Sequence, residues 1–173
     1  LVSKGASLSK TELTWFYPIS MPPVRVNTIS DAWDDVANKY FGISKTKRMT
    51  ESLAPIRFFF TNNATATNLV NIDIGGGTTG IAVVKNGEVV YVADEPTGGT
   101  HFSLVVSGAY KISFDDAEVF KRNLEHHKEI LPILQPVIEK VASIISNHTR
   151  KYDIKEIYLV GGTCCLTGIE AII

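Results

Sequence analysis

The segment "NLVNIDIGGGTTGIAVVKNGEVVYVA", residues 68–93, constrains the fold more than any other part of the chain. Val70, Ile72 and Ile74, then Ile81, Val83 and Val84, read as two buried strands, and a third follows the "KNGE" turn at 89–92. A tight hairpin needs one glycine at most. Three in a row, Gly75, Gly76 and Gly77, placed just after Asp73 and before Thr78 and Thr79, mark a point where something approaches the backbone closely. Free amide N–H groups in such a turn suit an anion, and phosphate is the candidate.

A second glycine turn, "LVGGTCCLTG" at 159–168, ends another strand around residues 157–160. Before it, Leu134, Val137, Ile138, Val141, Ile144 and Ile145 keep helical spacing, which predicts a long helix with Pro136 near its first turn. Ser113, followed by Asp115 and Asp116, predicts the capped start of a shorter one. Nearer the N-terminus, residues 11–21 read as a strand stopped by Pro22 and Pro23 in a loop. A helix is expected from Ser30 as N-cap to Gly42, with Trp33, Val36, Ala37 and Tyr40 on one side. "RMTESLAPIRFFF" gives a short strand, a turn and an apolar segment whose period fits helix or strand. Strand, glycine turn and helix in that order predict an α/β layered fold. Its sheet is expected to be mixed and rich in parallel pairs, with helices on both faces and the two glycine turns at one edge.

Charge excludes some functions. Seventeen Lys plus Arg nearly balance 18 Asp plus Glu, and no basic run exceeds "KTKR", so no nucleic-acid-binding face is expected. No apolar run approaches the roughly 20 residues that cross a bilayer, so no membrane partner is expected either. Two adjacent cysteines, Cys164 and Cys165, are poorly spaced for a disulfide and too few for zinc, which fits a reducing cytoplasm. They are expected to pack as small apolar groups. His126 and His127, in "EHHKE", are expected at a solvated helix end. The chain begins at Leu1 without a leader pattern and is expected to be a piece or a trimmed form of a longer protein.

Neither turn matches GxxxxGK[ST], and no GxGxxG opens a helix. As a pair they resemble the superfamily of actin, hexokinase-type sugar kinases and heat-shock chaperone ATPases, with its D-[IL]-G-G-G-T hairpin and later [VL]-G-G-[ST] turn. The resemblance implies an actin-like, ribonuclease H-like ATPase lobe with ATP and Mg as cofactors. Asp73 would act on the attacking or metal-bound water, and so hold magnesium through water. Gly75, Gly76, Gly77 and Thr78, with Thr79 beside them, would cradle phosphate, and Gly161, Gly162 and Thr163 would line the adenosine. "MTES" resembles the segment that places a glutamate, here Glu51, near the hydrolytic water, although the proline and small residues that usually follow are changed. "PTGGTHFS" would bring Gly98, Gly99 and Thr100 to phosphate or ribose, the alternative being a plain N-cap turn at Thr100.

Within the superfamily, residues 71–173 resemble the chaperone-like proteins of ethanolamine utilisation, above all in "DEPTGGTH" and the double cysteine after "LVGGT". That implies a cytoplasmic, adenine-nucleotide-binding protein whose partners are microcompartment or lyase proteins of that pathway. Residues 11–79 resemble a different branch, large bacterial proteins with an actin-like ATPase domain, so a chimera or an intermediate subfamily is expected. On this reading residues 1–70 are the end of a first lobe and 71–173 a second, nucleotide-binding lobe. The first lobe's own D-x-G-[TS] hairpin has no counterpart here, so ATP hydrolysis is expected only from a complete two-lobe site. The competing reading is an actin-like assembly module whose polymerisation or docking ATP controls. A small-molecule kinase ranks last, since neither Asp94 nor Asp153 carries the motif of a general base.

Overall fold

The computed structural model describes residues 5, 7, 10–62 and 67–173. Two compact units divide the chain, Leu1–Ala54 and Pro55–Ile173. The first is a β-α-β unit. Strands β1 (Thr14–Tyr17) and β2 (Lys47–Thr50) pair in parallel, and helix α1 (Pro23–Phe41) makes the crossover that a parallel pair requires. Its start differs from the sequence expectation: Pro22 is the N-cap and Pro23 the first helical residue, so Ser30 lies inside the helix. The proline pair had read as a loop, but a proline at the first helical position loses no hydrogen bond and has its φ already set. Gly42, at φ 67°, ends α1 as predicted. Asp34 ties the unit together by accepting from the amide and hydroxyl of Thr46 at 2.6 and 2.7 Å, while Trp15 donates to the same hydroxyl at 3.1 Å.

The second unit is built on four strands in the order β5-β4-β3-β6, with β3 Leu69–Ile74, β4 Thr79–Lys85, β5 Glu88–Glu95 and β6 Glu156–Val160. Only β3 and β6 run parallel; β3–β4 and β4–β5 are antiparallel. The sheet is therefore mixed, as expected, but not rich in parallel pairs, because β3, β4 and β5 are joined by short turns that reverse the chain. Asn86 and Gly87, both with positive φ (54° and 81°), form the primed turn that an Asn-Gly pair favours.

Helices α3 (Gly99–Tyr110), α4 (Phe114–Arg122) and α5 (His127–Thr149) enclose the core with one face of the sheet. Val70, Ile72 and Ile74 of β3 and Ile81 and Val83 of β4 meet Phe102, Val106, Ile130, Leu134 and Ile138 there. On the other face, Phe59 of helix α2 (Ala54–Asn62) stacks on Tyr158 of β6 at 4.2 Å, so helices flank both faces. Ser113 caps α4 as predicted, accepting from the Asp116 amide at 3.1 Å. Helix α5 starts well before the predicted residues and holds both Pro132 and Pro136 in its interior. Both prolines lie on the exposed side, where water can serve the carbonyls they leave without a donor.

Candidate functional site

The two glycine turns meet at the same end of the sheet, because β3 and β6 are parallel neighbours and each turn follows its strand directly. The hydroxyl of Thr163 donates to the Gly75 carbonyl at 2.9 Å. Gly161, at φ 93°, is pressed against Asp73 and Ile74: a Cβ there would collide with the Asp73 carboxylate and lie 2.5 Å from the Ile74 carbonyl oxygen. Gly98 and Gly99 form a third arm. A Cβ on Gly98 would stand 2.7 Å from the carbonyl oxygen of Gly75 and 2.8 Å from that of Gly76. Its φ of −161° is ordinary extended backbone, so close approach alone demands glycine here.

Helix α3 begins on these contacts. The amides of Gly99 and Thr100 donate to the Gly75 and Gly76 carbonyls at 2.9 and 2.7 Å. Helix-end amides that would otherwise be orphaned thus seat the glycine turn, and the N-cap is Gly98 rather than Thr100. The direction of these bonds fixes the rest of the turn. In a trans peptide the N–H points opposite to the C=O. With the Gly75 and Gly76 carbonyls turned onto α3, the amides of Gly76 and Gly77 point away from it, and both residues are exposed. The Gly75 amide is used within the turn, donating to Thr78 at 2.9 Å, and Thr79 is buried with its hydroxyl on the Thr97 carbonyl at 2.7 Å. Thr79 is therefore a brace, while Gly76, Gly77 and the half-exposed Thr78 form the rim.

A cleft of about 270 Å³ opens beside the turns, lined by Gly76, Gly99, Gly162, Thr163, Glu118, Lys121 and Arg122. An apolar pocket of about 100 Å³ adjoins it, sharing Lys121, Arg122, Gly162 and Thr163 and adding Phe102, Leu124, Cys165 and Leu166. Nothing lies within 4 Å of where a Gly162 side chain would stand, so that backbone offers a flat, open surface.

Sequence reasoning missed Glu118, Lys121 and Arg122. The available signal was their i, i+3, i+4 spacing on α4, a charged stripe that a solvated helix also shows. Lys121 Nζ donates to the Gly99 carbonyl, the Ser103 hydroxyl and Glu118 Oε1 at 2.8, 2.6 and 2.7 Å. An ammonium has three donors, and all are spent. Arg122 gives Glu118 only its Nε, at 3.2 Å, and its side chain is 79% exposed, leaving the guanidinium fork facing the cleft. Burial pushes the Glu118 carboxyl up, but hydrogen bonds from Lys121 and Ser103 and the charges of Lys121 and Arg122 hold it below the usual range.

His127 was also missed. It is buried rather than solvated: Thr167 N–H donates to Nδ1 at 3.0 Å, so Nε2 carries the proton and donates to the Lys121 carbonyl at 3.0 Å. Of the cysteines, Cys164 is half-buried with its thiol on the Val160 carbonyl, and burial pushes it up to about 11. Cys165 is exposed, contrary to expectation, at the end of the single 3₁₀ turn (Gly162–Cys165) that follows Gly161. Asp73 is half-exposed, and burial, then the Asp94 charge, push its carboxyl above the ordinary value. Glu51 lies in the first unit, at the start of a 3₁₀ turn (Glu51–Leu53) after β2; the other predicted site residues lie in the second.

A mixed sheet with flanking helices and glycine turns at one end of β3 and β6 defines an actin-like ATPase lobe. The chain belongs to the family described as type IV pilus assembly protein PilM, whose model matches residues 46–173. It is 37% identical to the ethanolamine utilization protein EutJ of Salmonella typhimurium over 92% of this chain and 51% of the relative. The crystal structure of EutJ from Carboxydothermus hydrogenoformans is 39% identical and superposes with a TM-score of 0.64 over 78% of this chain and 50% of that one. A type IV pilus biogenesis complex of PilM and PilN shares the fold at 14% identity, with a TM-score of 0.56 over 90% of this chain and 61% of that one. The chain spans about half the length of the curated EutJ relatives it matches. The likeness to EutJ covers 92% of the chain and so extends beyond the glycine hairpin into the N-terminal segment.

Proposed function

We propose that the second unit binds an adenine nucleotide and that the chain is part of a chaperone-like ATPase module of ethanolamine utilisation. One observation carries the reading: the carbonyls of Gly75 and Gly76 are turned onto α3, which leaves the Gly76 and Gly77 amides pointing away from that helix on an exposed turn. Outward amides complement phosphate charge. The exposed backbone of Gly161 and Gly162, with Thr163 and the Arg122 fork, offers a flat platform and a cation for the base and sugar. The amides of Gly99 and Thr100 are already used, so Gly98, Gly99 and Thr100 support the phosphate turn from behind.

A magnesium ion would neutralise phosphate charge and orient water there, and the donor set fits it through Asp73, a carboxylate at the strand end beside the turn. Residues 1–70 act as the end of a first lobe, and hydrolysis needs the completed site, with Asp73 orienting water and Glu51 the next candidate. The likeness to EutJ supports a client among the microcompartment or lyase proteins of that pathway, in a bacterial cytoplasm. Among the described residues no helix is long and apolar enough to cross a membrane.

The assembly reading is favoured by one finding, the match to a family described by pilus assembly. Sedimentation with and without ATP and magnesium separates the two: a soluble species under both conditions supports the chaperone-like reading, and nucleotide-dependent pelleting supports assembly. Thermal-shift measurements with ATP, ADP and GTP test the nucleotide itself, with stabilisation by the adenine nucleotides expected.

A further inference from the structure

The first unit holds a cavity of its own, about 220 Å³ in volume, where β1 ends and α1 begins. Ligands of α/β units gather at the carboxyl ends of parallel strands, so this is a favoured position for one. The Tyr17 ring and the side chains of Ile19, Met21, Pro23 and Val26 form its walls, and Asn27 and Arg48 are its polar groups. Drug-sized ligands occupy pockets of about 300 to 1,000 Å³. The cavity therefore suits something smaller.

Arg48 rises from β2 toward α1, where its Nη1 donates to Asn27 Oδ1 at 2.8 Å. A guanidinium has five donors. That bond uses one, and no other bond or ion pair of Arg48 is found among the described residues. No Asp or Glu lines the cavity, so its positive charge is not cancelled from within. The planar fork matches a carboxylate, and the walls match a hydrocarbon group attached to it. Thr50 gives an independent sign of a guest. It is the register partner of Tyr17 and lies two residues beyond Arg48, so it shares their face of the strand pair. Its hydroxyl is closed off from solvent and has no hydrogen-bond partner. A buried hydroxyl is rarely left so, and beside a cavity it can donate to an acceptor held there.

We propose that this cavity binds a small apolar carboxylate: the Arg48 fork holds the carboxylate, the walls cover the hydrocarbon part, and the Thr50 hydroxyl supplies a further donor. The site lies wholly within the first unit and does not depend on the nucleotide reading. A free acid and the carboxyl terminus of a peptide ending in an apolar residue offer the same chemistry.

Titrating 4-methylpentanoate into the whole chain, followed by two-dimensional amide NMR, tests the site. Its neutral match is 4-methylpentanamide, and an acetylated peptide ending in leucine supplies the second source of carboxylate. Saturable shifts around residues 17–27 and 48 are expected, with the acid binding roughly tenfold or more tightly than the amide, the worth of a charge-assisted hydrogen bond. Binding of the free acid alone identifies a small acid as the source, and binding of the peptide alone identifies a chain terminus; either supports the site. Arg48→Met is expected to weaken binding by a similar factor. So is Asn27→Asp, which sets a carboxylate against the guanidinium; were Arg48 there only to brace α1, that change would be harmless to binding. Thr50→Val is expected to weaken binding without lowering the melting temperature of the ligand-free protein. Failure of both carboxylates to give saturable shifts overturns the proposal, as does equal affinity for acid and amide, or unchanged affinity in folded Arg48→Met or Asn27→Asp.

Discussion

The Thr163 hydroxyl reaches the Gly75 carbonyl at 2.9 Å across 88 residues of sequence and so fastens one glycine turn to the other. The same carbonyl accepts the Gly99 amide, which makes Gly75 the point where all three glycine arms meet. Thr163→Val removes the donor and keeps the shape. It is expected to cost about 1 kcal/mol, the usual net worth of one hydrogen bond, and to lower nucleotide affinity, while Thr163→Ser keeps both. Chemical denaturation of the three proteins measures the difference.

Glycines that look alike in the sequence are expected to respond differently. Gly98→Ala would force a Cβ to within 2.8 Å of two carbonyl oxygens, and backbone cannot yield as a side-chain tip does. A loss of about 1–3 kcal/mol is expected, as for other overpacked sites. Gly162→Val meets open space, so its melting temperature should stay near that of the wild type while nucleotide binding disappears. Calorimetric scans with and without ADP read both effects.

Much of this was legible in the sequence. Alternation around the glycine triplet predicted β3 and β4, Asn86–Gly87 predicted the turn before β5, and Ser113 predicted the start of α4. The two glycine turns were expected at one end of the sheet and are found there. Strand direction was not legible, because apolar runs do not reveal their partners. Nor was the start of α1, where a proline pair reads as a stop in sequence but opens a helix in structure. Lys121 and His127 were hidden because their partners, Gly99 and Thr167, lie 22 and 40 residues away.

Lys121 and Arg122 are neighbours with separable roles. Lys121→Met leaves Glu118 and Ser103 without their shared donor, in a place where the Lys121 side chain is only 12% exposed. Loss of about 1–3 kcal/mol is expected, the cost of an unsatisfied polar group. Arg122→Met, at an exposed side chain, should leave stability within about 0.5 kcal/mol and weaken nucleotide binding. Urea unfolding beside ADP titration distinguishes them, and an Arg122→Met protein with unaltered ADP affinity would remove Arg122 from the site.

The Asp73 carboxyl has a folded-state pKa raised above its unfolded value, chiefly by burial. The folded protein therefore holds the proton more tightly, and a cost to stability appears as pH rises from the unfolded pKa through the folded one. Asp73→Asn is expected to be more stable than the wild type at neutral pH and to lose that advantage below the ordinary Asp range. Melting curves between pH 3 and pH 8 check the sign. In a complete two-lobe protein the same substitution should slow ATP hydrolysis by about a hundred- to ten-thousand-fold, with phosphate still held by the amides.

Isothermal titration of ADP into the wild type and Gly162→Val, with magnesium present, tests the central claim most directly, because the open backbone of Gly162 is the surface the base is expected to cover. Saturable 1:1 binding by the wild type, lost in a Gly162→Val protein that melts normally, is the predicted result. No heat of binding at millimolar ADP, or equal affinity in the two proteins, would contradict it.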